Sequence, residues 1–265
     1  MKNKPLISCL CVTRKRIKSL QRVIDCFVHQ TYPNKELLIL FEDDDLETKK
    51  FTGTLSNKYI HCLEVPSDPK LTLGELRNIS IKESKGQYFC QWDDDDWYHC
   101  ERLNFQMNVL ELSKKKASAL AYWLMYDDIK KEAYCSFPTA WAGSLLCKKK
   151  IINESIFYPH LSKGEDFRLL ISLMEKNYLI PVIAPSLYIY TITGSNTWDR
   201  DHFENLFSSS QKLSKGASLL IKRILEGKYN PVKASQLLFN KAILEELNYF
   251  HSEIQLAKLR EPEVK

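Results

Sequence analysis

The sequence predicts an α/β fold with a mostly parallel central sheet, and three observations support this prediction. Short apolar runs alternate with segments whose apolar residues recur at helical spacing, which is the pattern of βαβ units. The connections between them are short, so the strands are expected to pair in parallel through right-handed crossovers. Acidic residues directly follow two early strands, at Glu42 and at Asp93. Because ligands bind at the carboxyl ends of strands in open α/β sheets, both clusters predict a site at that edge.

The N-terminal half supplies four predicted strands and three predicted helices. The strands are expected over residues 6–12, 36–41, 59–65 and 88–92, and the helices over 17–29, 72–85 and 102–114. Thr72 is expected to cap the second of these helices together with Glu75, since the two have the spacing of a capping box.

The C-terminal half is less regular. Strands are expected over 119–126, 131–137 and 144–147, an extended segment over 185–191, and a helix over 167–176. The first two of these strands flank Asp127-Asp128, which is typical of a hairpin turn. From His202 onward the chain is predicted to be almost entirely helical, with Asn230 as an N-cap and Pro231 at the first helical position.

Composition indicates an ordinary soluble globular protein. Apolar residues make up 44% and charged residues 27% of the 265-residue chain. No window approaches the ~18 apolar residues of a membrane span, and the N-terminal apolar stretch is too short for a signal peptide, so a cytoplasmic location is expected. The eight cysteines form no CxxC pair and lie mostly in apolar runs. This pattern favours reduced core thiols over disulfides or a zinc site.

A net charge of +5 makes the protein mildly basic, and much of the excess lies between residues 212 and 233. This segment contains one acidic residue, Glu226, and six basic residues: Lys212, Lys215, Lys222, Arg223, Lys228 and Lys233. Such a segment could meet an anionic membrane surface or a phosphorylated acceptor, and a solvated helix face is the alternative. No nucleic-acid-binding motif accompanies the charge, so no nucleic acid partner is expected.

The acidic run Asp93-Asp94-Asp95-Asp96 is the most unusual feature of the sequence. Four adjacent carboxylates repel one another, and no Lys or Arg lies within the run. A solvated turn or a bound divalent cation would tolerate them. In extended backbone, Asp93 and Asp95 would project to one side and the other two to the opposite side.

Eight short motifs lie along the chain: Pro5-Leu6-Ile7-Ser8 followed by Thr13 and Arg16, Gln30-Thr31-Tyr32-Pro33-Asn34, Glu42-Asp43-Asp44, Gly74-Glu75-Leu76-Arg77-Asn78, Trp92-Asp93-Asp94-Asp95-Asp96, Trp141-Ala142-Gly143-Ser144, Gly164-Glu165-Asp166-Phe167, and Gly194-Ser195-Asn196-Thr197-Trp198. Together they resemble the motifs of the family 2 glycosyltransferases, which are inverting enzymes with the GT-A fold. The resemblance covers residues 5–203. Thr193 stands where the family has a His that in some members binds the metal or the diphosphate; His202 could substitute for it, but is more readily explained as a surface residue.

The resemblance implies a role for each matching residue. Asp166 is expected to be the catalytic base, and Asp95, in the DxD motif, the metal ligand. The residues expected to bind the nucleotide are Thr13, Arg16, Glu42, Asp44, Arg77, Asn78 and Asp93. Those expected near the donor or acceptor are Asp94, Trp141, Gly143 and Glu165.

The resemblance also implies the function. We expect a GT-A domain with a Rossmann-like central sheet over residues 1–203, and a helical extension over 204–265 that packs on the domain, a partner or a membrane surface. The expected reaction moves a sugar from a nucleotide-diphosphate donor, a UDP-sugar, to a hydroxyl of a glycan or lipid-linked acceptor, with Mn²⁺ or Mg²⁺ as the cofactor. Peripheral contact with the inner face of a membrane through the basic helices, and a homodimer, are further expectations. The alternatives are an inactive nucleotide-sugar-binding module and a nucleotidyltransferase, although the latter would usually carry a Gly-rich phosphate loop.

Overall fold

The computed structural model describes residues 4–194, 196–240 and 243–247. Its strands are β1 (Ile7–Val12), β2 (Lys35–Glu42), β3 (Ile60–Val65), β4 (Tyr88–Gln91), β5 (Trp97–Tyr98), β6 (Ala117–Leu120), β7 (Leu124–Asp127), β8 (Glu132–Cys135), β9 (Leu146–Lys148), β10 (Leu179–Val182), β11 (Tyr188–Ile192) and β12 (Gln211–Lys212). Its α-helices are α1 (Ile17–Val28), α2 (Leu46–Thr52), α3 (Leu73–Glu83), α4 (Arg102–Ser113), α5 (Glu165–Glu175), α6 (Arg200–Ser208), α7 (Lys215–Leu225) and α8 (Pro231–Leu238).

The central sheet has seven strands in the order β10-β6-β9-β4-β1-β2-β3. Strand β1 pairs in parallel with both β2 and β4, and β3 continues the parallel arrangement beyond β2. Only β9 runs antiparallel to its neighbours. The predicted α/β class and the βαβ unit formed by β1, α1 and β2 are therefore confirmed.

A second, five-stranded sheet with the order β12-β8-β7-β11-β5 was not predicted. The predicted strand over residues 119–126 is wrong, because the chain leaves the central sheet after Leu120 and enters the second sheet at Leu124. Residues on both sides of this crossing are buried, so the apolar run continues across it without a break. The hairpin between β7 and β8 was predicted correctly.

Helix starts follow their local signals. Thr72 and Glu75 form the reciprocal capping box at the start of α3, as predicted. Asn230 accepts from the Lys233 backbone N–H and Pro231 occupies the first position of α8, also as predicted. The short strands β5, β10 and β12 and the helix α2 were missed, and residues 185–187 form a 3₁₀ turn before β11.

The helices after β12 pack on the sheets. In α7 the buried face consists of Ala217, Ser218, Ile221 and Ile224, so most of its apolar surface lies in the core, while Leu219 is 56% exposed. In α8, Ser235 accepts at its Oγ from the Cys100 backbone N–H at 3.0 Å. Among the described residues, no helix has both the length and the apolar character needed to cross a bilayer.

A buried polar network fixes the junction of β1, β2 and β4. The Ser8 hydroxyl donates to Glu36 Oε1 at 2.6 Å and accepts from the Gly86 backbone N–H at 2.9 Å. Glu36 Oε1 also accepts from the Lys85 backbone N–H at 2.8 Å. Since β4 begins two residues after Gly86, this network aligns the strand that carries the acidic run.

We expect Gly86→Ala to destabilise the protein by about 2 kcal/mol or more. A Cβ at Gly86 would lie 2.8 Å from the Ser8 backbone nitrogen and 2.6 Å from its Oγ, where the neighbouring strand cannot retreat. The matched control is Gly53→Ala, whose Cβ would lie at an ordinary 3.5 Å from its nearest atoms and should be neutral or slightly stabilising. Urea unfolding of the three proteins measures the difference, and equal stabilities would contradict the prediction.

Candidate functional site

The acidic run bends away from the sheet as soon as β4 ends. The strand stops at Gln91, and Asp94-Asp95 form a turn before β5 begins at Trp97. The expectation that Asp93 and Asp95 project to one side of an extended chain is therefore wrong. The turn instead directs the carboxylates to different partners on separate elements of the fold.

Asp96 belongs to the scaffold. Its side chain is fully buried and accepts from the Thr191 backbone N–H at 3.0 Å and from the Tyr188 hydroxyl. Burial, with the charges of Asp95 and Asp93 adding to it, raises the pKa of Asp96 well above the usual value for Asp. Asp96 thus ties the end of the run to β11 of the second sheet.

Arg16 holds the middle of the run. Its Nη1 donates to Asp94 Oδ1 at 3.2 Å and to Asp95 Oδ2 at 2.6 Å, while the Thr13 hydroxyl donates to Asp94 Oδ2 at 2.6 Å. Burial raises the pKa of Asp94. Burial and the charge of Asp94 raise the pKa of Asp95 to about 7, although Arg16 opposes the shift. From α1, Arg22 donates to the backbone carbonyls of Asp95 and Asp96, which fixes the turn itself.

Arg77 links the start of the run to α5. Its Nη2 donates to Asp93 Oδ1 at 2.9 Å and its Nε donates to Glu165 Oε1 at 3.0 Å. Burial works against the charged guanidinium, but Asp93, Tyr158 and Glu165 outweigh it and the pKa of Arg77 is raised. This buried arginine therefore neutralises two carboxylates from different elements.

Asp166 lies at the first turn of α5, next to this arginine. Gly164 precedes the helix with φ +72°, a left-handed conformation that glycine adopts at little cost. Asp166 Oδ1 accepts from the Phe167 backbone N–H at 2.7 Å. Burial raises the pKa of Asp166, Arg77 opposes the shift, and Asp93 adds to it. A carboxylate with a raised pKa, facing a pocket, is suited to accept a proton from a substrate.

A pocket of about 470 Å³ collects most of the predicted site residues. It is lined by Thr13, Arg16, Glu42, Arg77, Asp93, Asp94, Asp95, Trp141, Glu165 and Asp166. Side chains from β1, α3, α5 and the acidic run thus meet at the carboxyl edge of the parallel strands, where the sequence placed the site.

Three predicted residues do not line this pocket. Asp44 is exposed and accepts from Arg14 at 2.6 Å. Asn78 exchanges hydrogen bonds with the backbone of Tyr158, at 2.7 and 3.1 Å, and so holds the segment that precedes α5. Gly143 packs behind Trp141, where a Cβ would lie 2.8 Å from the indole nitrogen.

Arg14 and Lys70 are pocket residues that the sequence analysis missed. Both donate to the buried carboxylate of Glu42, Lys70 at 2.8 Å, so Glu42 is neutralised at the pocket wall. The position of Arg14 between Thr13 and Arg16 was a usable signal, whereas nothing in the sequence around Lys70 indicates this contact. Tyr190 and Trp198 also line the pocket.

The carboxylates fit a divalent cation of the oxygen-preferring kind. Within the described ranges, no group of three or more His, Cys, Asp or Glu side chains is arranged as a complete metal site. The raised pKa of Asp95 nevertheless indicates that the positive charge of the nearby Arg16 does not fully offset the cost of burying this carboxylate. Mg²⁺ and Mn²⁺ are often held by one or two carboxylates, with phosphate and water oxygens completing the shell. Asp95 and its neighbour Asp94 could supply that part.

Comparison with known proteins identifies a family and several relatives of this chain. The family described as Glycosyl transferase family 2 matches residues 8–145, more than half of the chain. The chain is 22% identical over 181 residues to the UDP-Glc:alpha-D-GlcNAc-diphosphoundecaprenol beta-1,3-glucosyltransferase WfaP of Escherichia coli, which covers 64% of this chain and 71% of that protein. It is 24% identical over 135 residues to the uncharacterized glycosyltransferase RP339 of Rickettsia prowazekii, of which it spans only 41%, with 51% of this chain covered.

Solved structures show the same fold. The mannosyltransferase PcManGT from Pyrobaculum calidifontis, in complex with GDP-Man and Mn²⁺, superposes with a TM-score of 0.56 at 12% identity and covers 98% of this chain and 77% of its own. TarS of S. aureus in complex with UDP gives a TM-score of 0.52 at 14% identity, with 85% of this chain and 71% of that one covered. These similarities confirm the expected GT-A fold.

The buried carboxylates make stability depend on pH near neutrality. A carboxyl whose folded pKa is raised binds its proton more tightly in the folded state, so the stability it contributes is lost as pH rises through that pKa. For Asp95 the relevant range lies between the ordinary Asp pKa and about 7. In buffer with a chelator, we expect the free energy of unfolding to be higher at pH 6 than at pH 8 by about 1 kcal/mol in total, with most of the change near and below pH 7, and the thermal midpoint to be higher at pH 6 accordingly.

Asp95→Asn should weaken this dependence and stabilise the protein at pH 8, because no charge then remains to be buried. Glu154→Gln, at an exposed carboxylate, serves as the control and should behave like the wild type. A thermal midpoint that stays constant or falls from pH 8 to pH 6 would contradict the raised pKa of Asp95 in the folded protein.

Proposed function

The chain belongs to glycosyltransferase family 2, and from that premise we propose that it transfers a sugar from a nucleoside-diphosphate donor to a hydroxyl of a glycan or lipid-linked acceptor. The observation that carries the proposal is the shared pocket, in which Asp166 faces the acidic run across Arg77. A proton acceptor and a set of carboxylates suited to a cation thus lie on two sides of one space, as a displacement at a sugar carbon requires.

The proposed donor is a UDP-sugar. The far end of the pocket is lined by the apolar Val12, Leu40, Phe41 and Leu71, which suit a flat base, with the Glu42 carboxylate among them. Thr13 and Arg77 would face the ribose and phosphates. UDP is the nucleotide of the TarS complex and of the substrate in the name of WfaP, whereas PcManGT was solved with GDP-Man.

The proposed cofactor is Mn²⁺ or Mg²⁺, held through Asp95. When bound, the cation offsets the charge that develops on the leaving diphosphate. In the free protein, Arg16 occupies Asp95 Oδ2 at 2.6 Å, so this guanidinium would turn from the carboxylate toward the phosphates. The Mn²⁺ in the PcManGT complex supports the assignment.

The proposed mechanism is a single displacement with inversion. Asp166 takes the proton of the acceptor hydroxyl while the oxygen of that hydroxyl forms a bond to the anomeric carbon of the donor sugar. The bond from that carbon to the phosphate oxygen breaks at the same time. The electron pair of that bond leaves on the nucleoside diphosphate. Arg77 donates its hydrogen bonds to Asp93 and Glu165, so its guanidinium is not hydrogen-bonded to the neighbouring Asp166, whose carboxylate can take a proton from the acceptor. The raised pKa of Asp166 makes it a stronger base than an ordinary carboxylate.

The proposed organisation has a catalytic domain over residues 1–203 and an extension over 204–265. The proposed location is the cytoplasm, with peripheral contact to the inner face of a membrane that carries a lipid-linked acceptor. The names of WfaP and of the amylovoran biosynthesis protein AmsB of Erwinia amylovora support an acceptor in surface polysaccharide synthesis. Since the apolar face of α7 is buried, this contact would be electrostatic.

An inactive nucleotide-sugar-binding module is the second candidate. It is favoured by Thr193, which stands where the family has a His, and by the bond between Arg16 and Asp95. Calorimetry and nucleotide release with UDP-, GDP- and dTDP-sugars, with and without Mn²⁺, separate the two. Binding without release on any acceptor would favour the module.

We expect Asp166→Asn to lower the transfer rate by about 100-fold or more while donor affinity stays close to that of the wild type. The amide keeps the size of the side chain but cannot accept the proton. The control is Glu175→Gln, an exposed carboxylate at the other end of the same helix. Turnover near the wild-type rate in Asp166→Asn would show that another group is the base.

Charge reversal in the C-terminal helices tests the membrane contact. Lys215→Glu/Arg223→Glu should weaken binding to vesicles of anionic phospholipid, measured by co-sedimentation, by about 30-fold or more, because each basic side chain near such a surface contributes about 1 kcal/mol. Lys50→Glu/Lys58→Glu changes the net charge equally at exposed positions elsewhere and is the control. Equal binding of both variants would assign no special role to these helices.

A further inference from the structure

The outer surface of α5 has an apolar stripe beside the mouth of the pocket. Phe167, Ile171 and Met174 recur at spacings of four and three residues, so they share one face of the helix. This face is separate from the buried face, which includes Leu169 and Leu173. The helix therefore has two apolar faces, and only the second of them is buried in the core.

Two further apolar side chains extend the stripe toward the pocket. Leu161 lies in the segment that precedes α5, two residues before Lys163, which lines the pocket. Trp198 lines the pocket as well, and Lys163 Nζ lies 5.8 Å from the centre of its ring. Leu161 is 44% exposed, Phe167 56%, Met174 55% and Trp198 42%. We call these four side chains the apolar rim.

Positive charge borders the apolar rim. Three basic side chains between residues 161 and 176 are exposed: Lys163, Arg168 and Lys176. The same segment has one exposed carboxylate, Glu175, because Glu165 is buried and Asp166 faces the pocket. Exposed large apolar side chains bordered by cations are typical of a surface that meets an anionic bilayer.

The size of the apolar rim favours a bilayer over a protein partner. Each of its four side chains is about half exposed. Since a large apolar side chain has roughly 200 Å² of surface, together they expose on the order of 400 Å². A stable interface between two proteins buries about 800 Å² on each side. A bilayer requires no such area, because each apolar side chain that enters it is removed from water by itself.

We propose that the apolar rim binds the surface of an anionic phospholipid bilayer, with Phe167 and Met174 inserted at the boundary between headgroups and acyl chains. The proposal rests on the function proposed above, because a lipid-linked acceptor has its reacting sugar close to the bilayer and this orientation turns the mouth of the pocket toward it. Lys163 and Arg168 would then face the lipid phosphates. This contact is apolar and separate from the electrostatic contact proposed for α7, so salt should not abolish it.

The test is co-sedimentation with vesicles of equal parts phosphatidylcholine and phosphatidylglycerol at high salt, which screens surface charges. We expect Phe167→Ser/Met174→Ser to lower the partition coefficient about tenfold or more, because each substitution removes on the order of 100 Å² of apolar surface from the contact. The matched control is Leu46→Ser/Leu112→Ser, which removes two exposed leucines from α2 and α4 and should bind like the wild type. Thermal midpoints of both variants establish that they are folded.

A second measurement locates the bilayer on the protein surface. Brominated acyl chains quench the fluorescence of an indole that lies close to them. Trp198 belongs to the apolar rim, whereas Trp92, Trp97 and Trp123 are buried. We expect vesicles that contain brominated phosphatidylcholine to quench the wild-type protein and to leave Trp198→Phe nearly unquenched.

Three results would overturn the proposal: equal vesicle binding of the wild type and the rim variant at high salt, no binding of the wild type at high salt, or quenching that persists in Trp198→Phe. A changed sedimentation velocity of the rim variant with unchanged vesicle binding would assign the apolar rim to a contact between two copies of the chain, and would also overturn it. None of these measurements requires turnover, so their failure is distinct from a failure of the Asp166→Asn experiment.

Discussion

Mutual repulsion among four adjacent carboxylates is the constraint on which this site depends. The fold meets it by giving every carboxylate a hydrogen-bond donor: Arg77 for Asp93, Thr13 for Asp94, Arg16 for both Asp94 and Asp95, and the hydroxyl of Tyr188 for Asp96. These partners come from the loop after β1, from α3 and from the second sheet. The acidic run is therefore the point at which separate elements are fastened together, and its geometry is set by all of them.

The same arrangement prepares the pocket for charged substrates. Arg77 is committed to two carboxylates and cannot leave without exposing buried charge, so it acts as a fixed part of the wall. Arg16 is shared between Asp94 and Asp95 and is 32% exposed at its side chain, so it has room to turn. Arg77 on the Asp166 side would stay fixed, while Arg16 on the Asp95 side would move. The pocket could then take up phosphate and a cation without displacing Asp166, the proposed general base.

The sequence predicted the parts whose signals are local. The capping box of α3, the first βαβ unit and the position of both acidic clusters at one sheet edge follow from short patterns. Two errors came from contacts distant in the sequence: the crossing between sheets near Leu120 lies inside a continuous apolar run, and the turn at Asp94 depends on Arg16 and Arg22. The hydrogen bonds between Asn78 and the backbone of Tyr158 were likewise not predicted, and a role for Asn78 in nucleotide binding stays a prediction. Strand periodicity contains no information about such partners.

The hydrogen bond from the Cys100 backbone N–H to Ser235 Oγ limits which chimeras of this protein and its relatives can fold. The backbone N–H of Cys100, four residues beyond the acidic run, is satisfied by a side chain of α8, and Arg22 reaches both the run and the Leu225 carbonyl at 3.4 Å. A chimera that exchanged the C-terminal helices would remove these acceptors from the residues around the run. Successful grafts should therefore retain a hydroxyl at position 235.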